Sequence, residues 1–446
     1  MIIPGIPTQT TARFWVQAGS VAPIVSINPQ AAGILTMNAL TAGGKTIAYI
    51  VEYTGLKPNA EYTFTAGEES LTVCTLPDKL SETCCIATGS CYWKFGDTGG
   101  RLSKRYQEVA EKKDIRLRFL LGDQIYNDVF TGAGFGATSQ MPKTLPNYKE
   151  QWQHKHFLDF LRLTPTAMLA DDHEYWNDYP HDGIQLAWQW RNGSSRKRTV
   201  AQEAKNAFEV YQQSLNIGGK SSFDFTIDPL QFFVLDTRIL RTRYDNKPPS
   251  CVDAPAVAQL VNWINTLKGP GVLMLGPSFI REPSSFWGNL LPNRFKSDIQ
   301  LWDYEQFYND VWDALLHASH DILILAGDIH YGRYGKVSFP LTMPNGTKTE
   351  RTIYESTSSG LCLLTSALSK YGDGEHYTFK VGSGSANLEY RNLFHTQKGQ
   401  EHFVTIEFST NIDRSVNFSL NYIAVNQLQS ATTTQLNTQP IVGVLR

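Results

Sequence analysis

Through the first 80 residues, apolar side chains alternate with polar ones, or β-branched residues cluster, in short runs at 11–17, 24–27, 46–53, 61–66 and 71–75, with Gly, Pro and Asn between them. Period two over runs of this length, bounded by turn formers, predicts strands, and several at close spacing predict a small all-β sandwich over residues 1–80. Leu76-Pro77-Asp78-Lys79-Leu80-Ser81 reads as a linker, and beyond it the texture changes. From residue 83 onward, buried-strand runs at 83–88, 116–121, 166–170, 231–235, 272–275 and 321–325 alternate with amphipathic stretches at 102–112, 148–163, 199–215, 255–267 and 304–317. In the first of these stretches Leu102, Tyr106 and Val109 recur at i, i+4 and i+7. Strand and helix periods in alternation predict an α/β domain over 81–446, with strand texture returning at 402–408 and 415–423.

Within the β region, Leu56-Lys57-Pro58-Asn59-Ala60-Glu61-Tyr62 resembles the tyrosine corner of fibronectin type III and immunoglobulin-like domains, in which the phenol bonds back to upstream backbone. An ordinary turn before a half-buried strand leads to the same all-β expectation. Composition narrows the class further. The 446 residues carry 40 Lys+Arg against 42 Asp+Glu, a formal charge of -2, with 18% charged and 12% aromatic residues. Such a chain folds, and it lacks the clustered basic surplus of a nucleic-acid binder, so no stable nucleic-acid partner is expected. The run Arg196-Lys197-Arg198 reads as a solvated face or loop. The longest apolar runs, such as Ile322 to Ala326, are strand-sized, so no membrane span is expected. The start, Met1-Ile2-Ile3-Pro4-Gly5, has no basic segment followed by an apolar stretch, which favours the cytoplasm, or export if a leader has been removed. Six cysteines over this length are too sparse for a disulfide scaffold and read mostly as buried thiols.

Chemistry enters at the ends of the apolar runs. Ile86-Ala87-Thr88 leads into Gly89-Ser90-Cys91, Phe119-Leu120-Leu121 into Gly122-Asp123-Gln124-Ile125-Tyr126, and Met168-Leu169-Ala170 into Asp171-Asp172-His173-Glu174. Farther on, Phe233-Val234-Leu235 leads into Asp236-Thr237-Arg238, and Ile324-Leu325-Ala326 into Gly327-Asp328-Ile329-His330. Open α/β sheets bind ligands outside the carboxyl ends of their strands, and here those ends deliver thiol, carboxylate, phenol, imidazole and guanidinium to one edge. Singly, each segment has a plain structural reading: a Gly-Asp turn, a core cysteine, an aspartate cap. Together, oxygen and imidazole donors at several strand ends point to a metal site, and paired metals serve displacement at phosphorus.

This series of motifs resembles the alkaline phosphatase D (PhoD-like) family of calcineurin-like metallophosphoesterases, through Ser90-Cys91, Gly122-Asp123-Gln124-Ile125-Tyr126, Asp171-Asp172-His173-Glu174 and Gly327-Asp328-Ile329-His330. The resemblance implies an immunoglobulin- or fibronectin-like N-terminal sandwich joined to an α/β metallophosphatase domain with a four-layer α/β/β/α build. It also implies that Cys91, Tyr126 and His330 bind one metal, that Asp172 and Asp328 bind a second, and that Asp123 bridges them. Thiolate, phenolate and imidazole suit Fe(III); hard carboxylates suit Ca2+, with Mg2+ or Mn2+ as substitutes. Two features depart from the family pattern: Leu169-Ala170 stands where a Trp often precedes the Asp pair, and Tyr92-Trp93 follows Cys91 in place of the usual Gln. Both alter the pocket lining.

The expected reaction is hydrolysis of small phosphomonoesters, phosphodiesters or both, with a metal-bound hydroxide attacking phosphorus in line. His173 is the candidate to protonate the leaving alkoxide or hold a phosphate oxygen, and Arg238 to hold equatorial oxygens, against the alternative of a salt bridge between Arg238 and Asp236. Asn177 offers an amide ligand or a cap. His154, His156, His317 and His320 read as ordinary helical histidines, while loop-borne His181 is left open, and Trp176, Trp188 and Trp190 line a cleft or pack. Gly132 to Gly136 and Gly43-Gly44-Lys45-Thr46 do not fit phosphate-cradling loops, and no Gly-x-Ser-x-Gly elbow occurs. Two other readings remain: a metal hydrolase of carboxylic esters or lactams, and a binding module built on a degenerate enzyme. Every ligand position is filled, which weighs against the second.

Overall fold

A computed structural model describes residues 1–80, 83–128, 143–181, 195–243, 249–281, 300–342, 348–362, 375–381, 384–392, 401–425 and 440–446. Ser81, Gly132 to Gly136, Trp188 and Trp190 lie outside the described residues. The chain opens with seven strands: β1 (Ile2–Pro4), β2 (Ala12–Gln17), β3 (Val25–Asn28), β4 (Leu35–Ala42), β5 (Lys45–Tyr53), β6 (Glu61–Ala66) and β7 (Glu69–Cys74). They form two antiparallel sheets, ordered β1-β2-β5-β4 and β3-β6-β7. Alternation sends Phe14, Val16 and Val51 from the first sheet, and Ile27, Phe64 and Val73 from the second, into one apolar cluster, where Phe14 stacks on Phe64 at 4.0 Å. The Lys57 N–H donates to the Tyr62 hydroxyl at 3.0 Å, the bond expected of the tyrosine corner. Gly43 and Gly44, both at positive φ, make the tight turn from β4 to β5.

The strands and helices that follow are β8 (Thr83–Gly89), α1 (Arg101–Ala110), β9 (Ile115–Leu121), α2 (Thr144–Gln153), α3 (Lys155–Arg162), β10 (Thr166–Leu169), α4 (Ser195–Tyr211), β11 (Phe223–Ile227), β12 (Leu230–Val234), α5 (Ala254–Asn265), β13 (Gly271–Met274), α6 (Glu305–His317), β14 (Ile322–Ala326), β15 (Arg333–Thr342), β16 (Lys348–Thr357), β17 (Glu375–Val381), β18 (Gly384–Asn392), β19 (His402–Thr410), β20 (Val416–Ala424) and β21 (Ile441–Leu445). One sheet runs β10-β9-β8-β19-β20-β21 and the other β11-β12-β13-β14-β16-β15-β18-β17. The strands β8, β9 and β10 are parallel, as are β12, β13, β14 and β16.

Side-chain alternation gives these sheets their surroundings. Leu117, Phe119 and Leu121 of the first sheet meet Phe232, Val272, Leu323 and Leu325 of the second in a shared core. The other face of the second sheet packs Phe233, Leu273 and Ile324 against Leu260 and Ile264 of α5 and Val311 and Leu315 of α6. The other face of the first packs Cys85, Ala87 and Leu120 against Leu102 and Tyr106 of α1, Trp152 of α2 and Phe160 of α3, and takes in Ile3 and Trp15 of the N-terminal strands. Trp15 Nε1 also donates to the Val210 carbonyl at 2.9 Å, and Arg13 Nε to the Ser214 carbonyl at 2.8 Å. All six cysteines are free thiols, and all but Cys74 are buried. Among the described residues no helix is long and apolar enough to cross a membrane.

Candidate metal centre

The five segments singled out in the sequence leave the ends of β8, β9, β10, β12 and β14. Backbone shape at these ends is unusual. Cys91, Asp123, Asp328 and His330 have φ of 62°, 56°, 74° and 61°, and Gly122 has φ of 104°. Left-handed backbone is uncommon outside Gly, Asn and Asp, and such residues gather where surrounding structure holds them for a purpose. At Gly122 a Cβ would lie 2.5 Å from Asp171 Cβ, so the turn after β9 needs glycine to approach the end of β10. At Gly327 a Cβ would meet Ser90 Oγ at 2.6 Å, which brings the ends of β8 and β14 equally close.

These approaches bring the donors together. Cys91, Asp123 and His330 offer ligand atoms within 4.8 Å of one another; so do Asp123, Asp172 and His173, and so do Asp123, Asp171, Asp172 and Asp328. Asp123 belongs to all three groups. Tyr126 packs against Cys91, and its ring centroid is 4.2 Å from that of His173. Cys91 Sγ lies 3.5 Å from Asp123 Oδ2 and 3.1 Å from Ser359 Oγ. Ser90 Oγ accepts the Asp328 N–H at 3.1 Å and Ser359 Oγ the His330 N–H at 2.8 Å, so two serines outside the ligand set hold the turn after β14.

The electrostatics of the cluster call for a cation. Burial, then the neighbouring Cys91, Asp172 and Asp171, push the Asp123 carboxyl well above the usual range. Burial likewise pushes the Cys91 thiol up to about 12 and raises the Tyr126 phenol. Burial and the nearby His173 push His330 down to about 4, leaving the neutral imidazole that ligates metals. His173 goes the other way: burial disfavours its charge, but Asp128, Asp172 and Asp123 together raise it well above its ordinary value. Asp172 is held below the usual range against burial by His173, Arg238 and the Asp178 N–H. The donor set fits a soft-leaning position at Cys91, Tyr126 and His330 beside a hard one at Asp172 and Asp328.

Other side chains orient these donors. His173 Nδ1 bonds Asp128 Oδ1 at 2.7 Å, and the Asn177 N–H donates to Asp128 Oδ2 at 2.9 Å, so Asn177 enters through its backbone. Glu174 accepts N–H bonds from Asp123, Gln124 and Asp171. Arg238, 2% exposed, pairs with Asp171 through Nε and Nη2, and its Nη1 donates to the Tyr179 carbonyl at 2.8 Å. Asp236, the ion-pair partner that the sequence offers as the alternative to a phosphate contact, instead accepts the Arg238 and Ile239 backbone N–H groups at 3.0 and 2.8 Å. The Asp171 pairing follows from burial, since a guanidinium enclosed at the end of β12 takes the carboxylate that faces it from β10. Trp176 packs with Tyr175, Val200 and Ala204, and its Nε1 donates to the His181 carbonyl.

Asp171, Glu174, Asp128, Asp178 and Ser359 are functional side chains or ties that carry no assigned role in the sequence motifs. For the first two a signal was present, because Asp-x-x-Glu is a capping box, and here it closes the short 3-10 turn over Asp172–Glu174. The others reach the site through tertiary approach alone.

Comparison with known proteins follows the same lines. Residues 86–277 match the family described as PhoD-like phosphatase. The solved structure titled "Structure of PhoD" superposes with a TM-score of 0.61 at 15% identity, covering 99% of this chain and 88% of that one. A structure of GAP50, the anchor in the inner membrane complex of Plasmodium, gives a TM-score of 0.37 at 11% identity, covering 78% of this chain and 86% of that one. No curated protein sequence matches the chain. The matched segment, less than half of the chain, holds Cys91, Asp123, Tyr126, Asp172, His173 and Arg238, and over it the chain is similar to the PhoD-like phosphatases, with a cluster of donors suited to a metal.

Proposed function

We propose that the chain hydrolyses phosphomonoesters, phosphodiesters or both at a binuclear centre, with in-line displacement at phosphorus. The observation that carries this reading is the membership of Asp123 in all three donor groups, as a bridging carboxylate requires. Cys91, Tyr126 and His330 would hold Fe(III), and Asp172 and Asp328 would hold Ca2+, or Mg2+ or Mn2+, with Asp123 between them. When bound, such ions supply Lewis acidity toward phosphate and lower the pKa of water toward about 7.

The chain's own residues do the rest. Asp128 engages His173 at Nδ1, which leaves Nε2 to give a proton to the departing alkoxide or to hold a phosphate oxygen. Arg238 pairs with Asp171 and so acts as a positioning residue for the backbone beside Asp172. The same reading divides the chain into an N-terminal sandwich over 1–80 and a metallophosphatase domain over 81–446, whose two sheets and flanking helices stack as α/β/β/α. Metal analysis of protein purified without chelator, with parallel assays on nitrophenyl phosphate, bis-nitrophenyl phosphate and nitrophenyl acetate, tests it. The expected result is iron plus a divalent ion, turnover of phosphate esters and product inhibition by inorganic phosphate. Activity in metal-free protein, or preference for the acetate, would sink the proposal.

A further inference from the structure

The Asp171-Asp172-His173-Glu174 motif ends in a carboxylate that the metal reading leaves without a task. Glu174 is fully buried. Its Oε2 accepts the N–H groups of Asp123 at 3.0 Å and Asp171 at 2.8 Å; its Oε1 accepts the Gln124 N–H at 2.9 Å and Gln212 Nε2 at 3.2 Å. Two of these donors belong to the turn after β9, one to the residue beside Asp172, and one to a side chain beyond the end of α4. All four are donors, so the side chain is suited as a carboxylate and not as an amide or acid. Each oxygen takes two bonds. One rigid group therefore spans the backbone on both sides of the gap between Asp123 and Asp172.

We infer that Glu174 is a positioning residue that fixes the separation of Asp123 and Asp172, and thereby sets the affinity of the carboxylate-rich metal position. The inference rests on the binuclear reading above. Its distinctive consequence is asymmetry. Asp172, and Asp123 beside it, hang on bonds that Glu174 accepts, whereas of the soft position only Asp123 and Tyr126 share the clamped turn; Cys91 and His330 hang from β8 and β14, where Ser359 supports them and Glu174 makes no bond. Loss of the clamp therefore weakens the hard position more than the soft one, which a general loss of folding does not do.

Glu174→Gln keeps the volume but turns an NH2 group toward two N–H donors, whichever way the amide lies. Chelator-stripped wild-type and variant protein are titrated separately with Mn2+ and with iron by equilibrium dialysis. The expected result is a loss of Mn2+ affinity of about tenfold to a hundredfold, the usual effect of removing an outer-shell partner, with a smaller loss for iron. Phosphatase activity lost at limiting Mn2+ should return at saturating Mn2+. Unchanged Mn2+ affinity, or equal weakening of both ions, overturns the inference. Wild-type protein that holds a single ion overturns the binuclear reading itself, and the inference with it. Should Glu174→Gln not fold, amide hydrogen exchange on the wild type decides: slow exchange at Asp123, Gln124 and Asp171 together supports the clamp, and fast exchange at any of them overturns it.

Discussion

Cys91 and His330 hold left-handed backbone that neither residue type favours, at a cost on the order of 1–3 kcal/mol each. That cost is offset in part by a tie at each residue's own amide: the Cys91 N–H to the Gly122 carbonyl at 3.1 Å, and the His330 N–H to the Ser359 hydroxyl at 2.8 Å. Replacing Cys91 with Ser keeps those ties and removes only the soft donor. Cys91→Ser should lose iron affinity by about tenfold or more while its thermal midpoint stays near that of the metal-free wild type, as metal analysis and calorimetry would show. Asp128→Asn tests the support of His173 in the same way. With the carboxylate gone, the imidazolium loses its main stabilising neighbour, so the His173 pKa should fall and kcat drop by roughly 10- to 100-fold, read from a pH–rate profile. The proposed ligands were legible as candidates in the sequence because each lies within a few residues of the end of an apolar run, whereas Asp128 and Ser359 were read from no such mark. Ser359 reaches Cys91 across 268 positions of chain.

Among the strands and helices, the readable ones are those with one face in a core. The segment Leu35–Ala42 was not anticipated as a strand because nearly all its side chains are exposed or only half-buried, which erases the alternation. Phe223–Ile227 alternates cleanly and is legible in hindsight; its five residues are short and end at the turn into β12. The single helix expected over 148–163 is two helices. Tyr148 and Trp152 are four apart but Phe157 follows at five, out of helical phase, and His154 at ψ 117° resets the chain between them. Two predictions belong to this scale. Gly122→Ala should destabilise by at least about 1–3 kcal/mol, from the strained φ and the Asp171 contact, and lower metal content with it. At the entry to β19, Glu401 pairs with Arg101 of α1 at 3.0 Å, yet burial pushes its carboxyl up from 4.5 to about 7, with Arg101 opposing and Asp97 assisting. Between those values the folded chain keeps a proton that the unfolded chain has released, so this group's contribution to stability falls as pH rises from 4.5 to 7. Glu401→Gln should flatten that decline, as thermal midpoints measured across the interval would reveal.

For the molecule as a whole, the boundary expected near residue 80 divides sequence textures more sharply than it divides cores. Ile6, Leu76 and Leu80 lie in the cluster between the two large sheets, and Ile3 and Trp15 in the one beneath α1 to α3. Removal of residues 1–80 should therefore leave an insoluble or molten remainder, judged by dye binding and loss of near-UV circular dichroism. The crowding of Asp123, Asp171, Asp172 and Asp328 makes a second expectation. Chelation should lower the thermal midpoint, and a divalent ion at about 100 times its Kd should restore about 2.7 kcal/mol.

The left-handed turns at Cys91, Asp123, Asp328 and His330 bear on how such a protein can be engineered. Glycine adopts each of those backbone angles without steric strain, and a selection for heat resistance run in metal-free buffer places no value on the donors that these four residues carry, so it is free to return a sturdier protein with an empty centre. Libraries meant to harden this scaffold must be screened with metal present, or the search will delete the chemistry it was meant to preserve.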